Sequence, residues 1–188
     1  MSSSRKAIFF DRDNTLNADP VGYIHDPKEI VLLPYAKEVI QLAKKAGYLL
    51  FLHTNQSGIH RGFFTLEQVE NCHRRLENLL ANGPIFDRIC IAPERPDEPA
   101  IYRKPSPKFI LEMIAEYQLS PENCWMIGDR DSDMQTAYNA GIKGILVETG
   151  NDPVTISVGE KNCIGKFKNL QSAWKFIQER DQDDLARN

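Results

Sequence analysis

Short apolar runs recur along the chain, and amphipathic stretches separate them. Each run is almost continuously apolar instead of alternating with polar residues, which is typical of strands covered on both faces of a parallel sheet. The pattern therefore predicts buried strands at residues 7–10, 48–53, 86–92, 124–127 and 144–147.

The stretches between these runs have the spacing of helices that bury one face. Gly47 is suited to end the first helix, and Thr65 with Gln68 forms a capping box before the second. Ser106 and Pro107 suit the N-cap and the first position of the third helix. The spacing predicts helices at residues 35–46, 65–80, 106–117, 131–140 and 170–180.

Alternating strands and helices predict an α/β fold, a doubly wound, Rossmann-like parallel sheet with helices on both faces. We expect one domain over residues 1–188, with a core at about 7–150 and a C-terminal strand and helix at about 151–180. The intervals 17–52 and 58–102 leave no room for a large cap domain. Ligands of such sheets bind beyond the carboxyl ends of the strands, so the chemistry is expected there.

Composition limits the partners and the setting. The chain has 188 residues and a net charge of −3, which favours neither nucleic acid nor an anionic membrane, and no apolar run reaches transmembrane length. Four separated cysteines and an N-terminus without the apolar run of a signal peptide predict a reduced, cytoplasmic protein. We expect a monomer whose partner is a small molecule.

Polar clusters follow four successive predicted strands. Any one of them alone is equally typical of a solvated loop, but the carboxyl ends of parallel strands meet at one edge of the sheet. Four clusters at that edge favour a functional site. They are Asp11 with Asp13, residues 54–58, Arg103 with Lys104, and residues 128–133.

These residue types indicate metal-assisted phosphoryl transfer. Carboxylates from different strand ends repel one another unless a cation lies between them, and Mg²⁺ prefers oxygen ligands and bridges to phosphate. Asp11 can attack phosphorus, and Asp13 can exchange protons with the leaving group and with water. Thr54, Asn55 and Lys104 can stabilise the transferring oxygens.

Two classes without catalysis remain open at this point. A phospho-receiver domain also places acids, a threonine and a lysine on a doubly wound sheet, but it has no use for the second aspartate, Asp13. A sugar-phosphate binding module would bind such a ligand tightly without releasing phosphate. Turnover of p-nitrophenyl phosphate distinguishes both from an enzyme.

Four motifs together resemble those of the haloacid dehalogenase (HAD) superfamily of phosphatases. They read DRDNTL from Asp11, TNQSGIHRG from Thr54, RKPSP from Arg103 and GDRDSDMQTA from Gly128. Within the superfamily, residues from about 7 to 150 are most similar to the D-glycero-D-manno-heptose 1,7-bisphosphate phosphatase and histidinol-phosphate phosphatase group. The resemblance implies the HAD fold and a Mg²⁺-dependent phosphomonoesterase that works through an aspartyl-phosphate.

The resemblance also implies roles for individual residues. Asp11 would be the nucleophile and Asp13 the general acid and base, and Mg²⁺ would bind Asp11, the Asp13 backbone carbonyl and Asp129. Thr54 and Lys104 would hold the phosphoryl group. The residues that fall where the family contacts its substrate are Asn55, Gln56, Ser57, Arg103 and Arg130.

The loop at residues 18–33 contributes further candidates, because no large cap covers the predicted site. Asp19, Gly22 and Tyr23 lie in it and are expected to meet the substrate, while Asp133 is expected to organise the outer shell of the metal. The expected substrate is a heptose bisphosphate or a similar small phosphorylated metabolite. Histidinol phosphate is the alternative.

Asn14 stands where this family usually has glycine. Asparagine is the non-glycine residue that best accepts left-handed backbone angles. We therefore expect the turn after the first strand to be preserved.

The loop at residues 90–104 departs further from the family. Zinc-binding members of the group carry a C-x-H…C-x-C pattern there, whereas this chain has only Cys90 and no histidine between Pro84 and Pro107. Ile101 and Tyr102 are expected to hold the loop by apolar contact instead, so that packing positions the basic pair that follows.

We predict that the purified protein contains no structural zinc, because one thiol and a few loop carboxylates do not complete a closed tetrahedral site. Elemental analysis after dialysis against a chelator checks this. A retained content of about one zinc per chain would contradict the prediction.

Overall fold

A parallel sheet organises the part of the chain that the computed structural model describes, residues 5–20, 22–157 and 163–187. Its strands are β1 (Arg5–Phe10), β2 (Leu49–Asn55), β3 (Arg88–Ala92), β4 (Leu119–Gly128), β5 (Lys143–Val147) and β6 (Cys163–Phe167). They lie in the order β3-β2-β1-β4-β5-β6, and every neighbouring pair is parallel. The predicted doubly wound α/β fold is confirmed.

Helices cover both faces of the sheet. They are α1 (Ala36–Lys45), α2 (Leu66–Ala81), α3 (Lys108–Tyr117), α4 (Asp131–Ala140) and α5 (Leu170–Arg187). Side chains of α1, α2 and α5 pack with Ile8 and Phe10 of β1, while those of α3 and α4 pack with Ala7 and Phe9. Successive side chains of a strand point to opposite faces, so β1 contributes to both cores.

None of the helices in the described ranges is long and apolar enough to cross a bilayer.

Each strand predicted from an apolar run is present, but some boundaries differ. β4 begins at Leu119, before the predicted residue 124, because Leu119 already pairs with Arg5 across a register shift. β2 continues to Asn55, which pairs with Ala92 of β3. Polar residues can continue the backbone hydrogen bonding of a strand without extending its apolar run. Hydrophobic patterning therefore does not predict these extensions.

Two helix boundaries also differ from the prediction. Pro107 is the N-cap of α3, and the Ser106 hydroxyl donates to the carbonyl oxygen of Ile101 at 2.7 Å. The Ser106 hydroxyl oxygen still accepts the N–H of Lys108 at 3.4 Å, so Ser106 makes the predicted capping contact although the helix boundary lies one residue later. α5 extends to Arg187 instead of ending at residue 180.

The order in which successive strands join the sheet reverses between β1 and β4. β2 and β3 lie on one side of β1, and β4, β5 and β6 lie on the other. The N–H of Asp11 donates to the carbonyl oxygen of Ile127 at 2.9 Å, so the residues that follow β1 and β4 are neighbours. A ligand crevice is expected at such a reversal.

Candidate active site

The carboxyl ends of the strands border a cavity of about 330 Å³. Every predicted site residue lines it except Asp129 and Asp133, which lie beside Asp11. Arg61, Pro96 and Ser132 also line it and were not predicted, although Arg61 belongs to the second sequence motif. The predicted residues on its wall are Asp11, Asp13, Asp19, Gly22, Tyr23, Thr54, Asn55, Gln56, Ser57, Arg103, Lys104 and Arg130.

The Lys104 ammonium lies at the centre of the buried polar groups. Its Nζ is 2.6 Å from Oδ1 of Asp11 and 2.5 Å from Oδ1 of Asp133. Burial alone would lower the pKa of Lys104, but the two carboxylates raise it above its usual value, so the ammonium stays charged. Burial raises the pKa of Asp11 to about 6, helped by the charges of Asp133 and Asp13 and opposed by Lys104.

Three buried carboxylates converge next to this ammonium. Oxygens of Asp11, Asp129 and Asp133 lie within 4.8 Å of one another. Burial raises the pKa of Asp129 to about 8, and the charges of Asp11 and Asp133 add to the effect. One lysine does not neutralise three facing carboxylates, so the arrangement favours a further cation.

The free oxygens of this group identify which residues fit a divalent cation. Oδ1 of Asp133 accepts from Lys104, and Oδ2 accepts from the N–H of Arg130 at 3.0 Å. Oδ1 of Asp129 is buried and has no hydrogen-bond partner among the described residues. Carboxylate oxygens are the ligands that Mg²⁺ prefers, so Asp11 and Asp129 suit direct coordination, and Asp133 suits support of Lys104.

The Asp13 carboxylate is held by four hydrogen bonds. Nε and Nη2 of Arg12 each donate to it at 2.9 Å, and Asn17 and Gln56 donate at 3.1 and 3.0 Å. Burial raises the pKa of Asp13, but the charge and hydrogen bonds of Arg12 outweigh it and the pKa is lowered. Arg12 is fully buried, and sequence reasoning missed it.

The turn after β1 joins the first substrate loop to the site. Asn14 has a φ of 55°, as expected for a residue in a glycine position. Its Oδ1 accepts the N–H of Asp19 at 2.9 Å, and Oδ1 of Asp19 accepts the N–H of Gly22 at 2.7 Å. A glycine has no side chain for the first of these bonds, so Asn14 adds a tether to the turn it preserves.

Three guanidinium groups surround the mouth of the cavity, those of Arg61, Arg103 and Arg130. Burial lowers the pKa of Arg103, and the charges of Arg61 and Arg130 lower it further, while Glu94 opposes them. The three guanidinium groups repel one another, and an anionic ligand bound between them would offset this repulsion.

Packing does not hold the loop before Arg103 in the expected way. Ile101 is 53% exposed, so its predicted role as an apolar pin is wrong. Tyr102 does pack against the core on the α3 side of the sheet. Hydrogen bonds from side chains hold the rest of this loop.

Comparison with known proteins agrees with this geometry. Residues 101–158 match the family model described as "HAD-hyrolase-like". The chain is 38% identical over 182 residues to D-glycero-beta-D-manno-heptose-1,7-bisphosphate 7-phosphatase of Pasteurella multocida, covering 93% of this chain and 97% of that protein. The enzyme of the same name from Pseudomonas putida is 36% identical over 155 residues, covering 82% of this chain and 89% of that protein.

A solved structure has the same fold over nearly the whole chain. The crystal structure of D,D-heptose 1,7-bisphosphate phosphatase from B. bronchiseptica, complexed with magnesium and phosphate, matches with a TM-score of 0.79 and 26% identity. The match covers 93% of this chain and 99% of that protein.

Together, the fold, the buried acids and these relatives define a phosphoric monoester hydrolase of the HAD type. The chain belongs to the haloacid dehalogenase superfamily of phosphatases, and these named relatives are heptose 1,7-bisphosphate phosphatases. The receiver domain and the binding module that the residues alone left open are therefore set aside.

We predict that Gly128→Ala lowers kcat by about 10²-fold or more, because small displacements of catalytic groups have effects of this size. A Cβ at residue 128 would lie 2.2 Å from Oδ2 of Asp133, which must move and release Lys104. Steady-state kinetics of phosphate release, with circular dichroism to verify folding, checks the prediction.

Gly83→Ala is the matched control, since a Cβ there has no described heavy atom within 4 Å. Wild-type kinetics in a folded Gly128→Ala variant would contradict the prediction.

Proposed function

We propose that this protein is a Mg²⁺-dependent phosphatase that removes the 7-phosphate of D-glycero-D-manno-heptose 1,7-bisphosphate. The observation that carries the phosphatase chemistry is the buried Asp11 carboxylate, which has Lys104 on one oxygen and lies beside Asp129, whose Oδ1 has no hydrogen-bond partner in the described part of the chain. The names of the relatives support this substrate.

Asp11 is the proposed nucleophile. Its carboxylate attacks phosphorus, the bond to the leaving alkoxide oxygen breaks, and an aspartyl-phosphate forms on Asp11. Asp11, Asp129 and the backbone carbonyl of Asp13 would hold Mg²⁺, whose charge neutralises the facing carboxylates and the phosphoryl oxygens. Lys104 supplies a fixed positive charge to the same oxygens.

Asp13 is the proposed acid and base. It protonates the leaving oxygen in the first step and takes a proton from the water that cleaves the aspartyl-phosphate in the second. The hydrogen bonds from Arg12 and Gln56 orient the carboxylate toward the cavity that it lines. These hydrogen bonds stabilise the ionised form of Asp13, which is the form that accepts the proton in the second step.

Thr54 and Gln56 extend the phosphoryl-binding surface. Nε2 of Gln56 donates to the Thr54 hydroxyl oxygen at 2.8 Å, which leaves the hydroxyl proton of Thr54 free for a phosphoryl oxygen. Both side chains are buried and therefore preorganised before substrate binds.

The charge at the mouth of the cavity favours a bisphosphate over histidinol phosphate. Arg61, Arg103 and Arg130 attract a leaving group that carries a second phosphate. Histidinol phosphate presents an ammonium group, which these guanidinium groups repel. Histidinol phosphate remains the second candidate because of the family resemblance.

The substrate assignment predicts that kcat/KM for heptose 1,7-bisphosphate exceeds that for histidinol phosphate by about tenfold or more, as expected for the gain or loss of one charged contact. Phosphate release from both heptose bisphosphate anomers, histidinol phosphate and p-nitrophenyl phosphate measures this. Phosphorus NMR of the product identifies the phosphate that was removed. Faster turnover of histidinol phosphate would reverse the assignment.

Asp11→Asn is expected to abolish turnover, because an amide is a poor nucleophile and lacks the charge that binds the metal. Asp13→Asn is expected to lower kcat by about 10²–10⁴-fold, the usual contribution of a general acid and base. Steady-state and single-turnover assays of phosphate release measure both effects. Near-normal activity of Asp11→Asn would rule out its role as nucleophile.

Removal of divalent metal is expected to stop hydrolysis, and added Mg²⁺ is expected to restore it. Binding to the native state should also raise the melting temperature, since the cation relieves the repulsion among the buried carboxylates. Asp129→Asn should weaken both responses. Full activity after exhaustive chelation with EDTA would contradict the proposed metal requirement.

A further inference from the structure

The loop between β3 and α3 carries two site cations, Arg103 and Lys104, although all of its residues are described and none is in a helix or strand. Side chains of β2 hold the end of this loop. Nε2 of His53 lies 2.8 Å from the carbonyl oxygen of Tyr102. Asn55 accepts the N–H of Lys104 at 2.9 Å and donates to its carbonyl oxygen at 3.3 Å.

Glu94 provides the remaining anchor from within the loop. Its Oε1 accepts the N–H of Tyr102 at 2.6 Å, and the N–H of Arg103 is 3.4 Å from the same oxygen. The guanidinium of Arg103 also contacts Glu94, because its Nη1 donates to the main-chain carbonyl oxygen of Glu94 at 3.1 Å. The carboxylate of Glu94 thus contacts the main chain of Arg103, and the main-chain carbonyl of Glu94 contacts the guanidinium.

The burial of Glu94 indicates that this anchor has a specific role. Glu94 is 7% exposed, and its Oε2 has no hydrogen-bond partner within residues 5–20, 22–157 and 163–187. A buried carboxylate is unfavourable unless it is paired. The compensation comes from the N–H groups of Tyr102 and Arg103 and from the nearby positive charge of Arg103, so the course of this main chain and the burial of Glu94 depend on each other.

We propose that Glu94 is a positioning residue that directs the Arg103 guanidinium toward the anionic leaving group of the substrate. This inference rests on the proposed function and deepens it. Lys104 has its own anchors in Asn55, Asp11 and Asp133. Glu94 therefore acts on recognition of the leaving group and has little effect on the transfer step.

Three substitutions of Glu94 distinguish the effect of the length of its side chain from the effect of its charge. Glu94→Gln keeps an acceptor oxygen at the same reach and removes the charge. Glu94→Asp keeps the charge but shortens the side chain, so the carboxylate no longer reaches the Tyr102 amide. Glu94→Ala removes both, and Asp97→Ala removes an exposed carboxylate from the same loop as the matched control.

Kinetics with two substrates provides the first measurement. With heptose 1,7-bisphosphate, Glu94→Ala and Glu94→Asp are expected to raise KM by about tenfold or more, the value of a charged hydrogen bond, with a smaller change in kcat. Glu94→Gln should restore KM toward the wild-type value. KM for p-nitrophenyl phosphate, which has no second anionic group, should not change in any of these variants.

A double-mutant cycle tests whether Glu94 acts through Arg103. In an Arg103→Ala background, Glu94→Ala should have no further effect on KM for the bisphosphate, because the group that it positions is absent. Additive effects would overturn the proposal. An equal rise in KM for both substrates would also overturn it, because general damage to the site would then explain the result.

Hydrogen exchange provides a measurement that does not depend on the substrate. The amides of Tyr102 and Arg103 should be protected in the wild type, Glu94→Gln and Asp97→Ala, and should lose protection in Glu94→Ala and Glu94→Asp. If the wild type does not cleave heptose bisphosphate, the proposed function fails, and the exchange result alone decides whether Glu94 anchors this segment. Retained protection in a folded Glu94→Ala variant would overturn the inference.

Discussion

The buried ion pairs of Lys104 are the interaction on which the rest of the site depends. A single ammonium joins the end of β1 through Asp11, the start of α4 through Asp133 and the loop before α3 through its own main chain. Removing one partner of a buried pair leaves an uncompensated charge and usually costs about 3–5 kcal/mol. The positions of the proposed nucleophile and of its electrostatic partners are therefore set together.

Charges around this centre are arranged in layers. Inside, the carboxylates of Asp11, Asp129 and Asp133 outnumber the one lysine, and outside three arginines line the mouth. The net charge of the chain is −3, so this field is local. A phosphate dianion is attracted by the outer layer and repelled by the inner carboxylates, and the proposed Mg²⁺ would remove that repulsion.

Sequence analysis located the strand-end acids correctly but not the residues that hold them. Arg12 lies between two recognised aspartates, yet no local pattern shows that its side chain turns back to Asp13 in full burial. In the sequence, nothing distinguishes Glu94 from the other acidic residues of the same proline-containing loop. Its contact with Tyr102 depends on how that loop closes, which local periodicity does not encode. Arg61 is different, because the motif TNQSGIHRG contains it and so carries a sequence signal for its place in the cavity wall.

The sequence by itself determined the succession of strands and helices along the chain, the edge of the sheet where the polar clusters meet, and the family. It did so because burial on both faces leaves continuous apolar runs and because parallel strands bring their carboxyl ends to one edge. Only the tertiary structure decided which oxygen of Asp133 meets Lys104, that Oδ1 of Asp129 has no hydrogen-bond partner among the residues described, and that Glu94 contacts Arg103. These are contacts between residues distant in the chain or across a closed loop, and their geometry exists only after the sheet has assembled.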